Sequence, residues 1–434
     1  MPAVSKPCSN SSTFNANCLF SGYRVLDLTD EKGHLCGRIL ADFGADVIKI
    51  EPPGGDPSRH IGPFYHDEPR SQNSLSWWFA NANKRGITLN IEKAEGREIF
   101  KSLVSESALV IESYPPGYLG KMGLDYQVLS EINPSIVMTS ITPFGQNGPY
   151  SNFKASDLTL MAMGGMARLL GDRDRPPIRI SSPQAYFLGC LHAAVGSTFA
   201  LYYRELTGNG QHVDVSIQEA IVLSLMITTE IWDLLKVNYQ RSGCYAEPAR
   251  PKALGPLKQQ RVYPCRDGYV TLFLGGGATM GLVKSSQGLV RWANEEGFAE
   301  ELKDYDWVKH NMATISQEQE DFVEKPIAEF LLTKTKKELL DKAISNSILL
   351  APVCSMKDVA ESLQLAARNY WTSLKHPALN QTITYPGAPV KLSQCPWKLY
   401  RPPPQIGEHN DEIYLGELGL SSTKIAALKQ LGVI

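Results

Sequence analysis

Short apolar runs of strand length alternate with stretches of helical periodicity through the first half of the chain. This alternation constrains the fold more than any other feature. Tyr23 to Leu28 reads as a buried strand, 33–43 as a helix, and Asp46 to Ile50 as a second strand. Residues 95–106 have helical spacing and precede a strand at 108–112. A helix near 126–133 precedes a strand at 136–141. Gln184 to Leu206 is a long apolar helix closed by Gly208, Asn209 and Gly210. It leads to a strand at His212 to Val215 and a helix from Ile217. Strands alternating with helices predict an α/β fold, with a mainly parallel sheet covered on both faces.

The pattern changes after about residue 225. Arg241 to Lys258 is rich in Pro, Gly, Lys and Arg and reads as linker. Arg261 to Phe273 reads as two short strands around Asp267-Gly268, followed by helices up to about Asn346. The expected organisation is a polar tail at 1–20, the first part of a large domain at 21–225, and a linker at 226–260. A small domain at 261–348 and a return linker with the end of the large domain at 349–434 complete it.

Composition narrows the function. A formal net charge of -2 gives no reason to expect nucleic acid or an anionic membrane as partner. The eight cysteines are scattered, with no C-x-x-C pair and no zinc-ligand spacing, so no metal is expected. Free thiols, a polar start without a signal-like apolar core, and no apolar run near the roughly 20 residues that span a bilayer predict a soluble, cytoplasmic protein.

Individual motifs are weak by themselves. Gly275-Gly276-Gly277 after a strand suits either an anion-binding backbone loop or a plain mobile loop. Asn81 to Gly86 places Lys84 and Arg85 in what reads as a solvated polar loop. His192 reads as a core histidine and His409 as part of a turn. Walker A, G-x-G-x-x-G after the first strand, and nucleophile-elbow sequences are all missing, which leaves nucleotide hydrolysis, dinucleotide redox chemistry and a serine triad without support.

From about Gly22 onward the chain resembles the class III CoA-transferases. The matching segments are GYRVLDL at 22–28, LADFGADVIKIEPPGGDPSR at 40–59 and NKRGITLN at 83–90. Pro116-Gly117 with Met122-Gly123-Leu124, FGQNGPY at 144–150, RELTGNGQ at 204–211, PQIGEH at 404–409 and Leu418-Gly419-Leu420 complete the set. The resemblance implies a Rossmann-like large domain and a small domain in ring-shaped protomers that interlock as dimers. It also implies a covalent mechanism. An aspartate carboxylate attacks an acyl-CoA, giving a mixed anhydride and CoA thiolate. The thiolate returns to form an aspartyl-CoA thioester, from which the acceptor acid takes CoA. Backbone N–H groups near the glycine loop would stabilise the tetrahedral oxyanions.

In that pattern the aspartate stands between a Pro-Pro segment and the long helix. Here Pro176-Pro177 is followed by SSPQAYFLGC at 181–190, and the position falls on Tyr186; no Asp or Glu lies between Asp174 and Glu205. A phenol can form an aryl ester but neither an anhydride nor a CoA thioester. Two readings follow. The chain is the non-catalytic subunit of a heteromeric CoA-transferase whose paralogous partner carries the aspartate, as in the benzylsuccinate enzyme of anaerobic toluene degradation, which takes succinyl-CoA as donor. Alternatively it is a stand-alone CoA or acyl-CoA binder. The resemblance assigns coenzyme A contacts to Lys32, Leu89, Asn90, Ser113, Tyr114, Lys121 and Lys154. Lys121 and Lys154 would meet phosphates as point charges.

Overall fold

The computed structural model describes residues 18–247 and 252–434. These divide into two compact units. One comprises the described residues of Met1–Met166, Arg179–Glu230 and Gln364–Ile434; the other comprises those of Ala167–Ile178 and Ile231–Leu363.

The first unit is built on β1 (Arg24–Leu28), α1 (His34–Asp42), β2 (Asp46–Glu51), α2 (Leu75–Asn81), β3 (Arg85–Thr88), α3 (Ala94–Ser105), β4 (Leu109–Glu112), α4 (Tyr126–Ile132), β5 (Val137–Thr142), α5 (Asp157–Met163), α6 (Ala185–Thr207), β6 (His212–Ser216) and α7 (Ile217–Ser224). The six strands form one sheet in the order β3-β2-β1-β4-β5-β6, and every pairing is parallel. This is the doubly wound order, with its switch point between β1 and β4. Successive side chains alternate between faces. Val25, Leu109, Ile111 and Val137 therefore meet Cys36 and Leu40 of α1 and Ala193 of α6. Leu26, Ile48, Ile87 and Val110 meet Phe100 and Leu103 of α3, and Leu428 of the C-terminal helix Ser422–Gln430. The expected parallel sheet covered on both faces is present.

β3 is an edge strand, and exposed edges invite unwanted pairing. The motif Gly407-Glu408-His409-Asn410 covers it. His409 N donates to Gly86 O (2.9 Å) and His409 Nδ1 accepts from Gly86 N (3.0 Å). Asn410 Oδ1 accepts from Thr88 N (2.9 Å), and the Tyr414 hydroxyl donates to Thr88 O (2.6 Å).

α6 runs 23 residues and ends on Gly208, whose φ of +76° lets its N–H reach Arg204 O at 2.8 Å. By length and composition only, α6 is long and apolar enough to cross a bilayer, a test that the core helix of a soluble protein also passes; the expectation that no apolar run approaches that length is corrected. One face of α6 packs on the sheet, where the Ser197 hydroxyl meets that of Thr139 at 2.8 Å. The opposite stripe, Phe187, Leu191, Val195, Phe199, Tyr202 and Leu206, is open, with Phe199 69% exposed. His192, expected in the core, is only half-buried.

The second unit holds a three-stranded antiparallel sheet, Val262–Cys265, Gly268–Leu272 and Leu350–Pro352, against the helices Met280–Glu295, Gln317–Leu332 and Lys336–Asn346. Within the stretch that reads as linker, Tyr245–Ala246 pairs with Gln259–Gln260, and Thr228–Leu235 is helical. Part of that stretch, 248–251, lies outside the described residues, as does most of the expected tail. Phe20, counted in the tail, is buried in the core beside α6.

Candidate functional site at the carboxyl edge of the sheet

Doubly wound sheets bind ligands beyond the carboxyl ends of their strands, near the switch point. The segments after β1 and β4 meet there. Asp30 N donates to Ser113 Oγ (2.8 Å), and that hydroxyl donates to Asp30 Oδ1 (2.8 Å). The Lys32 ammonium pairs with the Asp30 carboxylate. Lys32 O accepts from the Cys190 thiol at 3.1 Å, which ties the loop after β1 to α6 one turn beyond Tyr186.

Beneath this edge lies a buried charge cluster. Lys84 Nζ donates at 2.7 Å to each of Asp27 Oδ2, His34 O and Asn81 Oδ1. Asp27 Oδ1 accepts from the N–H and hydroxyl of Thr29 at 3.0 and 2.6 Å. The Lys49 ammonium lies 3.3 Å from Asp56 and also binds Thr29 O. Burial alone would raise Asp27, but Lys84 and Lys49 outweigh it and hold the carboxyl below its usual range. The cluster clamps the loop that carries Asp30 and Lys32. The solvated-loop reading of Asn83-Lys84-Arg85 is therefore corrected. Lys84 is fully buried. Arg85 is buried against Asp46, Glu412 and Glu417. Asn83, at φ +65°, binds Asp42, Lys398 O and the N–H groups of Tyr400 and Arg401.

Tyr186 sits in the first turn of α6. Burial, with Glu31, Asp30 and Asp157 nearby, pushes its phenol up to about 12, so it is neutral near pH 7. A neutral phenol among carboxylates is a poor nucleophile. The carboxylate at this helix start is Asp157, from 28 residues upstream. It accepts from Ala185 N at 2.8 Å, and the amides of the helix end lie on its side, so the carboxylate caps α6. No local sequence pattern announces this long-range cap.

The other expected contacts lie in the segments that follow β3, β4 and β5. Leu89 buries its side chain in the core and donates its N–H to Glu51 O at 2.7 Å. Asn90 donates its N–H to Val433 O (2.7 Å) and accepts from Glu92 N (3.0 Å). Tyr114 stacks on Tyr118, with centroids 4.6 Å apart, and burial raises its phenol. Lys121 and Lys154 are exposed, and neither ammonium has an ion pair among the described residues.

In the second unit the glycine loop is internally engaged. Gly275 N donates to Ser286 Oγ (3.0 Å) and Gly277 N to Trp307 O (2.9 Å). A Cβ on Gly276 would stand 1.8 Å from Trp307 O, so the glycine serves close backbone approach. The Gly275 and Gly277 N–H groups are thus engaged within this unit.

Sequence reasoning missed Glu112. This last residue of β4 is buried, and burial raises its carboxyl to about 7 despite the hydrogen bond from Tyr114 N. The raised value has a stability consequence. Below about pH 4.5 both folded and unfolded states are protonated. As pH climbs from 4.5 to 7, only the unfolded state gains by ionising, so stability falls by about 3 kcal/mol and then levels off. Glu112→Gln is expected to remove its share of the decline in urea melts recorded from pH 5 to 8, leaving that of Glu324, whose carboxyl burial raises to about 8; an unchanged decline would contradict the assignment.

The comparisons with known proteins agree on the family and the fold. The model of CoA-transferase family III matches residues 20–410. The succinyl-CoA:(R)-benzylsuccinate CoA-transferase subunit BbsE of Thauera aromatica is 37% identical over 418 residues, covering 96% of this chain and 98% of that protein. A formyl-CoA:oxalate CoA-transferase of Streptomyces avermitilis is 34% identical, covering 95% and 98%. The crystal structure of a CAIB/BAIF family protein from Brucella suis superposes with a TM-score of 0.77 at 27% identity, covering 92% of this chain and 99% of that one. A match of this extent, on a sheet whose switch-point edge carries the candidate site, places the chain in CoA-transferase family III.

Proposed function

We propose that this chain is the subunit without a catalytic aspartate in a heteromeric CoA-transferase, and that a paralogous subunit supplies the nucleophile. The observation that carries the reading is Tyr186, a neutral phenol at the helix start where the resemblance places the carboxylate. The similarity to a subunit named for a benzylsuccinate enzyme supports the same reading. The open apolar stripe of α6 is a surface that a partner chain would cover. Interlocking of ring-shaped protomers in the cytoplasm, from a large and a small domain, belongs to this proposal. The donor is an acyl-CoA such as succinyl-CoA, and the acceptor a carboxylic acid such as benzylsuccinate.

In this scheme the partner's carboxylate attacks the donor thioester and releases CoA thiolate. The thiolate displaces the donor acid from the anhydride, and the acceptor carboxylate then displaces CoA as a second anhydride forms. Thiolate attack on the acceptor's acyl carbon yields the product thioester and restores the carboxylate. This chain contributes assembly and a CoA-binding edge formed by Lys32, Leu89, Asn90, Ser113, Tyr114, Lys121 and Lys154.

Coexpression with an aspartate-bearing family member tests the proposal. One complex of fixed stoichiometry, active only when both chains are present, is the expected result. Robust transfer by this chain alone contradicts it, and a stable lone chain that binds acyl-CoA without transfer favours the stand-alone binder. Within the complex, Lys121→Ala and Lys154→Ala should each weaken CoA binding to this chain by about 1.5–3 kcal/mol, measured calorimetrically at fixed ionic strength. Unchanged affinity in both removes these lysines from the site.

A further inference from the structure

A buried carboxyl lies directly under the turn that carries Ser113 and Tyr114, and a row of polar side chains joins it to solvent. Glu112 is 4% exposed, and its Oε2 accepts the Tyr114 N–H at 2.6 Å. Glu112 is in register with Ser140 of β5, and Ser140 with Asp214 of β6. His212 precedes Asp214 by two residues and so shares its face. Ser140 stands beside Glu112 in register, and its hydroxyl lies 2.9 Å from His212 Nε2. His212 is an exposed residue whose ring stacks on Tyr126 of α4, with centroids 5.8 Å apart and planes at 14°; partial burial of the ring lowers its pKa, with Asp214 opposing.

We propose that Glu112 is a positioning residue for the Ser113–Tyr114 turn, that Ser140 and His212 carry protons between it and solvent, and that an anionic thioester bound at this edge takes up one proton onto Glu112. The coupling to a thioester rests on the CoA-binding reading above.

The transfer balances without any further reactant. The Glu112 carboxyl gives its proton to Ser140 Oγ, and Ser140 gives its own hydroxyl proton to His212 Nε2. A carboxylate and an imidazolium result, and the imidazolium then releases its Nδ1 proton to water. Only O–H and N–H bonds change, and no electrons are exchanged. The charged groups facing Glu112 are Asp30 from the loop after β1 and Asp214 from β6, with His212 beyond Ser140; both carboxylates disfavour ionisation of Glu112. Lys32 already pairs with Asp30. A polyphosphate ligand adds negative charge on the same side, so it binds the protonated form better, and linkage makes binding draw a proton in. The Tyr114 N–H keeps an acceptor in either state, so the turn persists while the charge beneath it changes.

The test combines infrared titration of the chain with calorimetric binding of CoA, on wild type, Glu112→Gln and Ser140→Ala. Glutamine retains an acceptor for Tyr114 N and removes the titration. Wild type is expected to show a protonated carboxyl that ionises between about pH 6 and 8 and is missing from Glu112→Gln, beside that of Glu324, which burial raises to about 8 and which persists in the variant. Ser140→Ala should move that titration to higher pH, because the carboxylate loses a donor. CoA affinity should fall about tenfold from pH 6 to 8 in wild type and stay flat in Glu112→Gln. A spectrum with no such carboxyl, or a Glu112→Gln variant with the wild-type pH slope, overturns the proposal. The expected titration with no CoA binding at any pH overturns the CoA-binding reading and the coupling, and leaves the proton path standing.

Discussion

Lys84→Met is expected to destabilise the chain by roughly 3–5 kcal/mol, a large part of the 5–15 kcal/mol typical of folded domains. The ammonium makes three 2.7 Å bonds, to Asp27, His34 O and Asn81, with no exposed surface. Methionine replaces the aliphatic stem as far as Cε and returns none of them. Asp27 then keeps its charge in the interior, opposed mainly by Lys49, 3.9 Å away. The cost is dominated by that stranded carboxylate rather than by the bonds lost. The double variant Lys84→Met/Asp27→Asn should therefore recover most of the loss, since asparagine still accepts from Thr29 and carries no charge. Urea melts of wild type, both single variants and the double variant measure this. A single-variant loss below about 1 kcal/mol would show that the cluster is wetter than its burial indicates.

The second large effect concerns Tyr186. In the heteromer we propose, Tyr186→Phe is expected to leave turnover largely unchanged, whereas removal of a true covalent nucleophile costs on the order of 10⁶ in kcat. Tyr186→Asp is expected to give no transferase activity in the chain alone. The new carboxylate would stand near Asp30, Glu31 and Asp157, three like charges that raise its pKa and blunt it as a nucleophile. Steady-state assays of both variants, alone and with the partner, separate these outcomes. Activity arising in Tyr186→Asp alone would show that only the nucleophile had been lost from an otherwise intact site.

The sheet was legible because its signal is local. Apolar runs such as Val25–Leu28 and Leu109–Ile111 are buried wherever the sheet places them, so their length and spacing suffice. The roles of polar residues were far less legible, because their partners are distant in sequence. Arg85 finds Glu412 and Glu417 more than 320 residues away, and Asn83 finds Tyr400 and Arg401, so a buried clamp looks like a solvated loop. His409 looks like part of a turn until β3 lies beside it. Glu112 reads as the polar end of a strand, and only the neighbouring strands show that its carboxyl is enclosed. The glycine run suited either a cradle or a loop, and the carbonyl of Trp307, 31 residues downstream of Gly276, decides for close packing.

Trapping the covalent intermediate tests the central claim most directly. During turnover by the assembled enzyme, hydroxylamine or borohydride intercepts an acyl or CoA ester on whichever chain carries it, and mass spectrometry of the separated chains locates the modified residue. The account predicts modification of an aspartate on the partner alone and an unmodified mass for this chain. A turnover-dependent adduct on this chain, at Tyr186 or at any carboxylate, would contradict it.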